Sequence, residues 1–346
     1  MRLTDSINRA ASYLLRCRGW TGLWWDFFTG AGYSDEWLSA FVASVLAKLR
    51  QDKYSQAART AWSRLMGRHP TRIGWGYSEY TPSDADSTIY VLNLAQILGE
   101  HNRRIEDGYD FIVAHCQKDG GISTYRSSAY MRRVLKFDRV ISSFHGWCRS
   151  HTDVTANVAN LAAFPQREQA LVFLRKNQHS DGSWTGYWWY DPEFTSALAV
   201  KALSQTGNPE DNLRIGTAME WAMKRVDIDG MVRTVLYPSG STFATALVLR
   251  ILRFGAKTPK AQQWMEKSTS WLLSKQHEAG FWHPSATLRL PYPSDTSPDD
   301  YKNWRTHGKG DLGEIISDTR KIYTTALVLE TLLDVKSFFG ELDHEA

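Results

Sequence analysis

The chain has 346 residues and a formal net charge of +4, with basic residues spread along the sequence. Nucleic-acid binding usually shows as a clustered basic face, so this composition argues against a nucleic-acid partner. The sequence also holds 15 Trp, 15 Tyr and 14 Phe, and aromatic side chains in this number either fill a core or line a cavity.

The N-terminal residues and the cysteines indicate where the protein resides. Residues 1–15 mix charged with apolar side chains, which predicts a first helix rather than a signal peptide. Cys17, Cys116 and Cys148 are far apart in sequence, as is typical of free thiols in a reducing compartment. No apolar run approaches the ~20 residues that span a bilayer. We therefore expect a cytoplasmic protein, with peripheral membrane contact at most.

One sequence pattern, typical of the start of a helix, recurs six times: Ser, Thr or Asp residues followed by small and apolar residues at helical spacing. The copies begin near residues 34, 83, 152, 194, 244 and 323, and each follows an amphipathic stretch, at 6–17, 55–68, 104–117, 166–177, 214–225 and 261–275. A helix that is apolar all round must be buried on all sides, so the alternation predicts inner helices surrounded by outer ones. The sequence thus predicts an all-α fold, a single (α/α)6 barrel domain over residues 1–346.

Two insertions interrupt this rhythm, at about 119–151 and 283–321. Loops of this length in a compact domain are usually functional and often serve as lids. No change of composition accompanies them, so they do not predict a second domain.

Two carboxylates stand one residue apart where the second inner helix begins, at Asp84 and Asp86, and Asp153 begins the next. A helix N-cap explains one such residue but does not require all three. Neighbouring carboxylates oppose double ionisation, so one of them can keep a proton. We therefore predict a functional site that these three acids share.

Three segments, in the same order, resemble signatures of the squalene–hopene cyclases and related class II terpene cyclases. Residues 84–88 (Asp-Ala-Asp-Ser-Thr) are similar to the family's Asp-x-Asp-Asp-Thr, and residues 153–158 (Asp-Val-Thr-Ala-Asn-Val) to its Asp-Val-Thr-Ala-His-Val. Residues 176–188 resemble its repeat Gln-x-x-Asp-Gly-Ser-Trp-x-Gly-x-Trp. The resemblance leads us to expect a monodomain class II cyclase, because 346 residues leave no room for the family's second helical domain.

The resemblance also implies catalytic roles. The family's middle Asp protonates a terminal alkene or epoxide, a role that falls on Asp86, with Asp84 as the neighbour that tunes it. Such an acid must be kept protonated by burial and a nearby like charge. Ser87 replaces the last Asp of the usual signature, and Asn157 stands where the squalene–hopene pattern has a His that assists the acid. Squalene and epoxides are less favoured substrates in consequence.

Aromatic faces stabilise a carbocation, which gives the loop aromatics a reason to line the chamber. Trp188 and Tyr323 match positions that line the cavity in the family, although loop tryptophans also serve to clamp neighbouring repeats. The candidates for substrate binding are Trp75, Trp147, Trp184, Trp188, Trp189, Trp282 and Tyr323.

The head of the isoprenoid substrate remains open between a prenyl diphosphate, such as farnesyl or geranylgeranyl diphosphate, and a prenylated aromatic. Proton initiation requires no cofactor and no metal ligand is predicted; Mg²⁺ enters only with a diphosphate. Two sets of cations are available to bind one: Arg132, Arg133, Lys136, Arg139 and Arg149, or Lys302, Arg305 and Lys309.

Two other (α/α)6 functions are alternatives. A protein prenyltransferase-like enzyme needs zinc ligands, and the nearest cluster falls in one segment, at His145, Cys148, His151 and Asp153. A sugar-active enzyme would also use paired acids and aromatic platforms. The oligomeric state is not predicted.

Overall fold

The computed structural model describes residues 2–135, 141, 143–255, 258–306 and 308–345. Helices alternate along the chain between an outer and an inner set. The outer helices are α1 (Leu3–Arg16), α3 (Asp52–Gly67), α5 (Arg103–Val113), α8 (Arg167–Lys176), α10 (Pro209–Arg225) and α12 (Pro259–Ser274). The inner helices are α2 (Glu36–Ala47), α4 (Ala85–Leu98), α7 (Thr152–Val158), α9 (Pro192–Leu203), α11 (Thr242–Leu252) and α13 (Ile322–Glu345).

The inner helices form a closed ring. Helix α2 packs against α4, α4 against α7, α7 against α9, α9 against α11, α11 against α13, and α13 returns to α2. Helix α2 is buried from Glu36 to Leu46, whereas α1 buries one face only. This difference follows from their sequences, because a helix apolar all round is stable only where other helices surround it. The predicted (α/α)6 barrel is confirmed.

A repeated indole contact ties an outer helix to the loop that follows it. In four units a fully buried Trp donates its Nε1–H to a backbone carbonyl ten residues earlier, at 2.7 to 3.0 Å. Each carbonyl lies in the last turn of its helix, where the regular donor four residues later is missing. Two of them, Leu174 and Leu272, also accept the backbone N–H of the C-cap residue. The pairs are Trp24 with Leu14, Trp75 with Leu65, Trp184 with Leu174, and Trp282 with Leu272.

Short antiparallel hairpins precede several inner helices, and the repeat pattern does not predict them. They pair β1 (Asp26–Thr29) with β2 (Gly32–Ser34), β3 (Trp75–Gly76) with β4 (Ser83–Asp84), β5 (Ile122–Ser123) with β6 (Ser150–His151), and β7 (Thr287–Leu290) with β8 (Glu314–Ser317). Since β4 runs directly into α4, the hairpin fixes the place where the predicted acids begin their helix.

Both insertions carry ordered elements. The first holds β5, the helix α6 (Ser128–Leu135) and β6; the second holds β7, a 3₁₀ turn (Pro298–Asp300) and β8. The second insertion reaches the β1–β2 hairpin, where the Gly30 N–H donates to the Gly310 carbonyl at 2.9 Å. No helix among the described residues is both long and apolar enough to cross a membrane.

Candidate active site

A cavity of about 290 Å³ opens at the end of the barrel where the inner helices begin. Asp84 and Asp86 contribute its acidic groups near the start of α4. Residues from β1–β2 and from the second insertion, including Gly30 and Gly310, lie around its mouth. Six aromatic side chains form much of its wall: Trp37, Tyr77, Tyr125, Trp147, Trp188 and Trp189.

Three of the seven predicted aromatic residues therefore line this cavity: Trp147, Trp188 and Trp189. The structure corrects the placement of Trp75, Trp184 and Trp282, which are the buried helix clamps described above. Tyr323 is fully buried behind the wall, with its ring 5.1 Å from that of Trp189.

Three cavity aromatics have no counterpart among the predicted residues: Trp37, Tyr77 and Tyr125. Two of them could have been predicted from their positions in the sequence. Trp37 lies in the first turn of α2, at the same end of the barrel as the acids, and Tyr77 ends the Gly-Trp-Gly-Tyr loop before them. Tyr125 lies inside the first insertion, where no repeat pattern guides a prediction.

Asp84 is the N-cap of α4. Its carboxylate accepts the Ser87 backbone N–H at 2.7 Å and the Ser87 hydroxyl at 2.9 Å. Burial raises the pKa of Asp84 to about 7, while the two bonds from Ser87 act to lower it. Ser87, which departs from the usual signature, therefore stabilises the charge on Asp84.

Asp86 extends into the cavity and is partly accessible there. Burial raises its pKa well above the ordinary value, the negative charges of Asp84 and Asp153 raise it further, and the Asn157 side chain lowers it. Unlike Asp84, Asp86 receives no backbone N–H from the described residues. Hydrogen bonds to the charged form of a carboxyl favour its ionisation. The surroundings therefore favour an ionised Asp84 and a protonated Asp86.

Asp153 does not line the cavity, which corrects the expectation that all three acids face it. The side chain is 2 % exposed, and its Oδ2 accepts the backbone N–H groups of Trp188 at 2.8 Å and Trp189 at 3.4 Å. Asp153 thus holds the aromatic loop while its charge acts on Asp86.

Asn157 borders a second, smaller cavity of about 50 Å³ with Tyr90 and Tyr323. Its Nδ2 is buried and has no partner at hydrogen-bond distance among the described residues. It is nevertheless near enough to Asp86 to lower the pKa of that acid. The amide therefore stands between the acid and the smaller cavity.

Comparisons with known proteins support the resemblance seen in the sequence. The squalene-hopene cyclase C-terminal domain matches residues 70–235. The squalene–hopene cyclase of Bradyrhizobium diazoefficiens is 22% identical over 306 residues, covering 75% of this chain and 45% of that protein. The Zymomonas mobilis enzyme is 27% identical over 293 residues, covering 71% and 43%. The chain thus spans less than half the length of these curated relatives.

A solved structure decides the family. The type II terpene cyclase MstE from Scytonema is 37% identical, with a TM-score of 0.93 over 97% of this chain and 99% of that one. The chain belongs to the type II, or class II, terpene cyclases. Variants of MstE have been solved with geranylgeranyl dihydroxybenzoate as substrate and with merosterolic acid A as product.

The structure lends little support to the two alternative functions. An α-1,6-mannanase from Salegentibacter aligns with a TM-score of 0.59 at 9% identity, which shows the barrel fold alone. Within the described residues, no three His, Cys, Asp or Glu side chains are grouped to hold a metal ion. His151, from the cluster considered for zinc, instead bonds Thr124 and the Gly146 carbonyl.

The cations considered for a diphosphate do not line the cyclase cavity where they are described. Their side chains bind the protein itself: Arg132 to the Ile141 carbonyl, Arg149 to the Thr296 carbonyl, Lys302 to the Asp299 carbonyl and Arg305 to Glu314. Lys309 is also missing from the lining. The side chains of Arg133, Lys136 and Arg139 lie outside the described part of the chain.

Proposed function

We propose that this protein is a meroterpenoid cyclase: it protonates the terminal alkene of a linear polyprenyl chain that carries an aromatic head. The observation that carries this proposal is the pair of unlike carboxyls at the start of α4. Asp84 has two donors for its charge, while Asp86 has a raised pKa and faces an aromatic cavity. Asp86 is the proton donor and Asp84 tunes it.

The proposed reaction is an isomerisation in which the proton balance closes. The Asp86 carboxyl transfers its proton to the terminal alkene, the alkene π electrons form the new C–H bond, and a tertiary carbocation remains. Successive alkenes attack this cation to close rings. The last cation gives a proton to water, and Asp86 regains one from solvent through the open cavity, so that the product keeps the composition of the substrate. Trp37, Trp188 and Trp189 line the path, and an aromatic face stabilises a cation by ~1–2 kcal/mol where water is excluded.

Charge in the cavity supports the aromatic head over a diphosphate. The described lining contains Asp84, Asp86 and Asp311 but no Lys or Arg. A diphosphate there would meet like charges, which cost several kcal/mol when juxtaposed. A prenylated aromatic carries less negative charge, and MstE provides a relative with such a substrate. Mg²⁺ has no part in this proposal, since its expected partner was the diphosphate.

The test compares Asp86→Asn with the unmodified chain on geranylgeranyl dihydroxybenzoate, and on farnesyl diphosphate with and without Mg²⁺. Products are read by mass spectrometry. We expect cyclised product from the aromatic substrate alone, and its loss in Asp86→Asn at a melting temperature no lower than that of the unmodified chain, because Asn is a neutral isostere of the protonated acid.

The control is Asp229→Asn, an exposed acid in the fifth unit, which should keep full activity. Cyclisation by Asp86→Asn at the rate of the unmodified chain would remove Asp86 from the role of proton donor. Turnover of the diphosphate in place of the aromatic substrate would overturn the assigned head group while leaving the acid in place.

A further inference from the structure

The Trp188 indole is held in the cavity wall by a chain of three hydrogen bonds. Its Nε1–H donates to Thr124 Oγ1 at 2.7 Å. Thr124 Oγ1 lies 2.7 Å from His151 Nδ1, and His151 Nε2 lies 2.8 Å from the Gly146 carbonyl oxygen. The chain therefore runs from a cavity aromatic to the backbone of the first insertion.

The direction of every bond in this chain follows from its ends. A carbonyl oxygen only accepts, so Nε2 of His151 carries the hydrogen that it donates to Gly146. The Nδ1 of a neutral ring then accepts, so the Thr124 hydroxyl donates to it. The free lone pairs of Thr124 Oγ1 are left for the indole N–H, which is a donor only. Each group thus has one role that fits its neighbours.

Burial keeps the central imidazole neutral and fixed. His151 is 1 % exposed and Thr124 is 3 % exposed. Burial lowers the pKa of His151 to about 3, with the Arg149 charge acting in the same direction. The His151 ring also stacks on Tyr187, with 3.9 Å between centroids and 12° between planes. The acceptor at Nδ1 is therefore held in place for Thr124.

The backbone of Trp188 is held separately. Its N–H donates to Asp153 and its carbonyl accepts the Arg289 N–H at 2.7 Å. The Arg289 side chain, 1 % exposed, donates its Nε–H to the Tyr187 carbonyl at 2.8 Å and pairs with Asp299 at 2.7 Å. With the backbone held, the plane of the indole depends on its side-chain contacts. The rings of Trp147, His151 and Tyr187 pack against it, and Thr124 accepts its hydrogen bond.

We propose that Thr124 and His151 are positioning residues that fix the plane of the Trp188 indole, and that the two insertions serve to hold this ring. Thr124, Gly146 and His151 come from residues 119–151, and Arg289 comes from 283–321. The consequence for catalysis rests on the proposed function: a fixed ring stabilises the carbocation at one place along the substrate, so a loosened ring changes the mixture of products.

The test uses the full chain without substrate, so that its failure is separate from a failure of the proposed function. Labelling with ¹⁵N-tryptophan makes each indole N–H visible by NMR, and Trp188→Phe identifies the Trp188 signal. Trp20, 95% exposed, is the internal reference for rapid exchange. In Thr124→Val we expect the Trp188 indole N–H to exchange with solvent about five- to tenfold faster, the factor for one lost hydrogen bond, and Thr124→Ser to restore the slow rate.

The matched control is Thr234→Val, a buried threonine whose hydroxyl accepts the Tyr237 N–H in the fifth unit; it should leave the Trp188 signal unchanged. If Thr124→Val does not fold, His151→Phe keeps an aromatic ring beside Tyr187 without the Nδ1 acceptor, and it should also speed exchange. An unchanged Trp188 exchange rate in the folded variant, or a Thr124→Ser variant that fails to restore it, would overturn the positioning role.

Discussion

Asp84 and Asp86 are one residue apart but have unlike surroundings, and the roles proposed for them rest on this difference. Asp84 caps α4 and receives two bonds from Ser87, whereas Asp86 points past the helix start into the cavity. The same burial that raises both pKa values is offset by donors at Asp84, while at Asp86 it is reinforced by neighbouring charges. Ser87 is therefore part of the acid site through the charge that it stabilises on Asp84.

Ser87→Ala tests this role directly. The variant keeps the backbone N–H that caps α4 but loses the hydroxyl, so the charged form of Asp84 is less stable and its pKa should rise above about 7. We expect a rise of about 1 pH unit, given the strength of one hydrogen bond to a charged group. Carboxyl ¹³C NMR titration measures it, with Asp84→Asn used to assign the signal. The control is Ser83→Ala, because the hydroxyl of the neighbouring Ser83 is buried without a partner among the described residues. An equal rise of the Asp84 pKa in both variants would contradict the role of Ser87.

At the scale of elements, two tryptophans of one loop, between α8 and α9, have different structural roles. The Trp184 indole donates to the last turn of α8, while the Trp188 indole lines the cavity. Only three residues separate them, yet Trp184 lies beside the end of its own outer helix and Trp188 lies next to Asp153. The neighbours of each side chain therefore decide whether a tryptophan of this loop binds an outer helix or lines the cavity.

Paired substitutions separate these roles. Trp184→Phe removes the indole donor to the Leu174 carbonyl, which keeps only the Asn177 N–H at 3.2 Å, and it creates a small void. We therefore expect it to destabilise the barrel by about 1–3 kcal/mol with an unchanged product mixture. Trp188→Phe should change the products and cost less stability than Trp184→Phe, because its ring is partly exposed to the cavity. Thermal unfolding and product analysis by mass spectrometry provide the two measurements. The roles assigned to the two tryptophans would be wrong if Trp184→Phe altered the products without lowering the melting temperature.

At the scale of the whole molecule, buried acids close the ring. Asp26 accepts the N–H groups of Arg320 at 3.0 Å and Ile322 at 2.9 Å, which joins the first unit to the start of the last inner helix. Asp318 caps the same helix start through Thr324. Burial raises the pKa of both acids, and the nearness of Asp26 raises that of Asp318 further. The barrel therefore stores several carboxyl groups that hold protons more tightly than in the unfolded chain.

Because these buried acids hold protons in the folded chain, its free energy of unfolding depends on pH. The pKa values of Asp86 and Asp318 are raised well above the ordinary value, so we expect the folded state to hold protons on them between pH 6.5 and 8 that the unfolded chain has lost. Because the folded state then binds more protons, its free energy of unfolding falls as the pH rises. Below this range His115 and His151, with pKa values lowered to about 4 and about 3, oppose the trend.

Denaturant unfolding across this range measures the slope. Asp86→Asn has no proton to lose at this position, so we expect its slope to be shallower by up to about 1.4 kcal/mol per pH unit. Asp229→Asn should have the slope of the unmodified chain. Equal slopes for Asp86→Asn and the unmodified chain would show that the native Asp86 is already ionised, without reference to any substrate.

The roles of Asp86, Asp84, Asp153 and Asn157 remain predictions, but their placement shows how far sequence reasoning reaches. Helical periodicity and N-caps are local, so the six repeated units, their inner and outer helices and the position of Asp84 and Asp86 at a helix start could be predicted. The direction of a loop side chain depends on neighbours distant in sequence. Trp75, Trp184 and Trp282 therefore could not be told apart from Trp188 by their composition.

The sequence by itself determined the alternation of the helices and the acid pair at the start of α4, because both depend on nearby residues. The barrel was predicted from the number of repeated units, although its closure rests on contacts between the two ends of the chain. Only the tertiary structure showed that Ser87 donates twice to Asp84, that Asp153 binds a backbone instead of facing the cavity, and that Thr124 and His151 reach Trp188. These depend on burial and on hydrogen bonds between separate units, and no local pattern of residues encodes either.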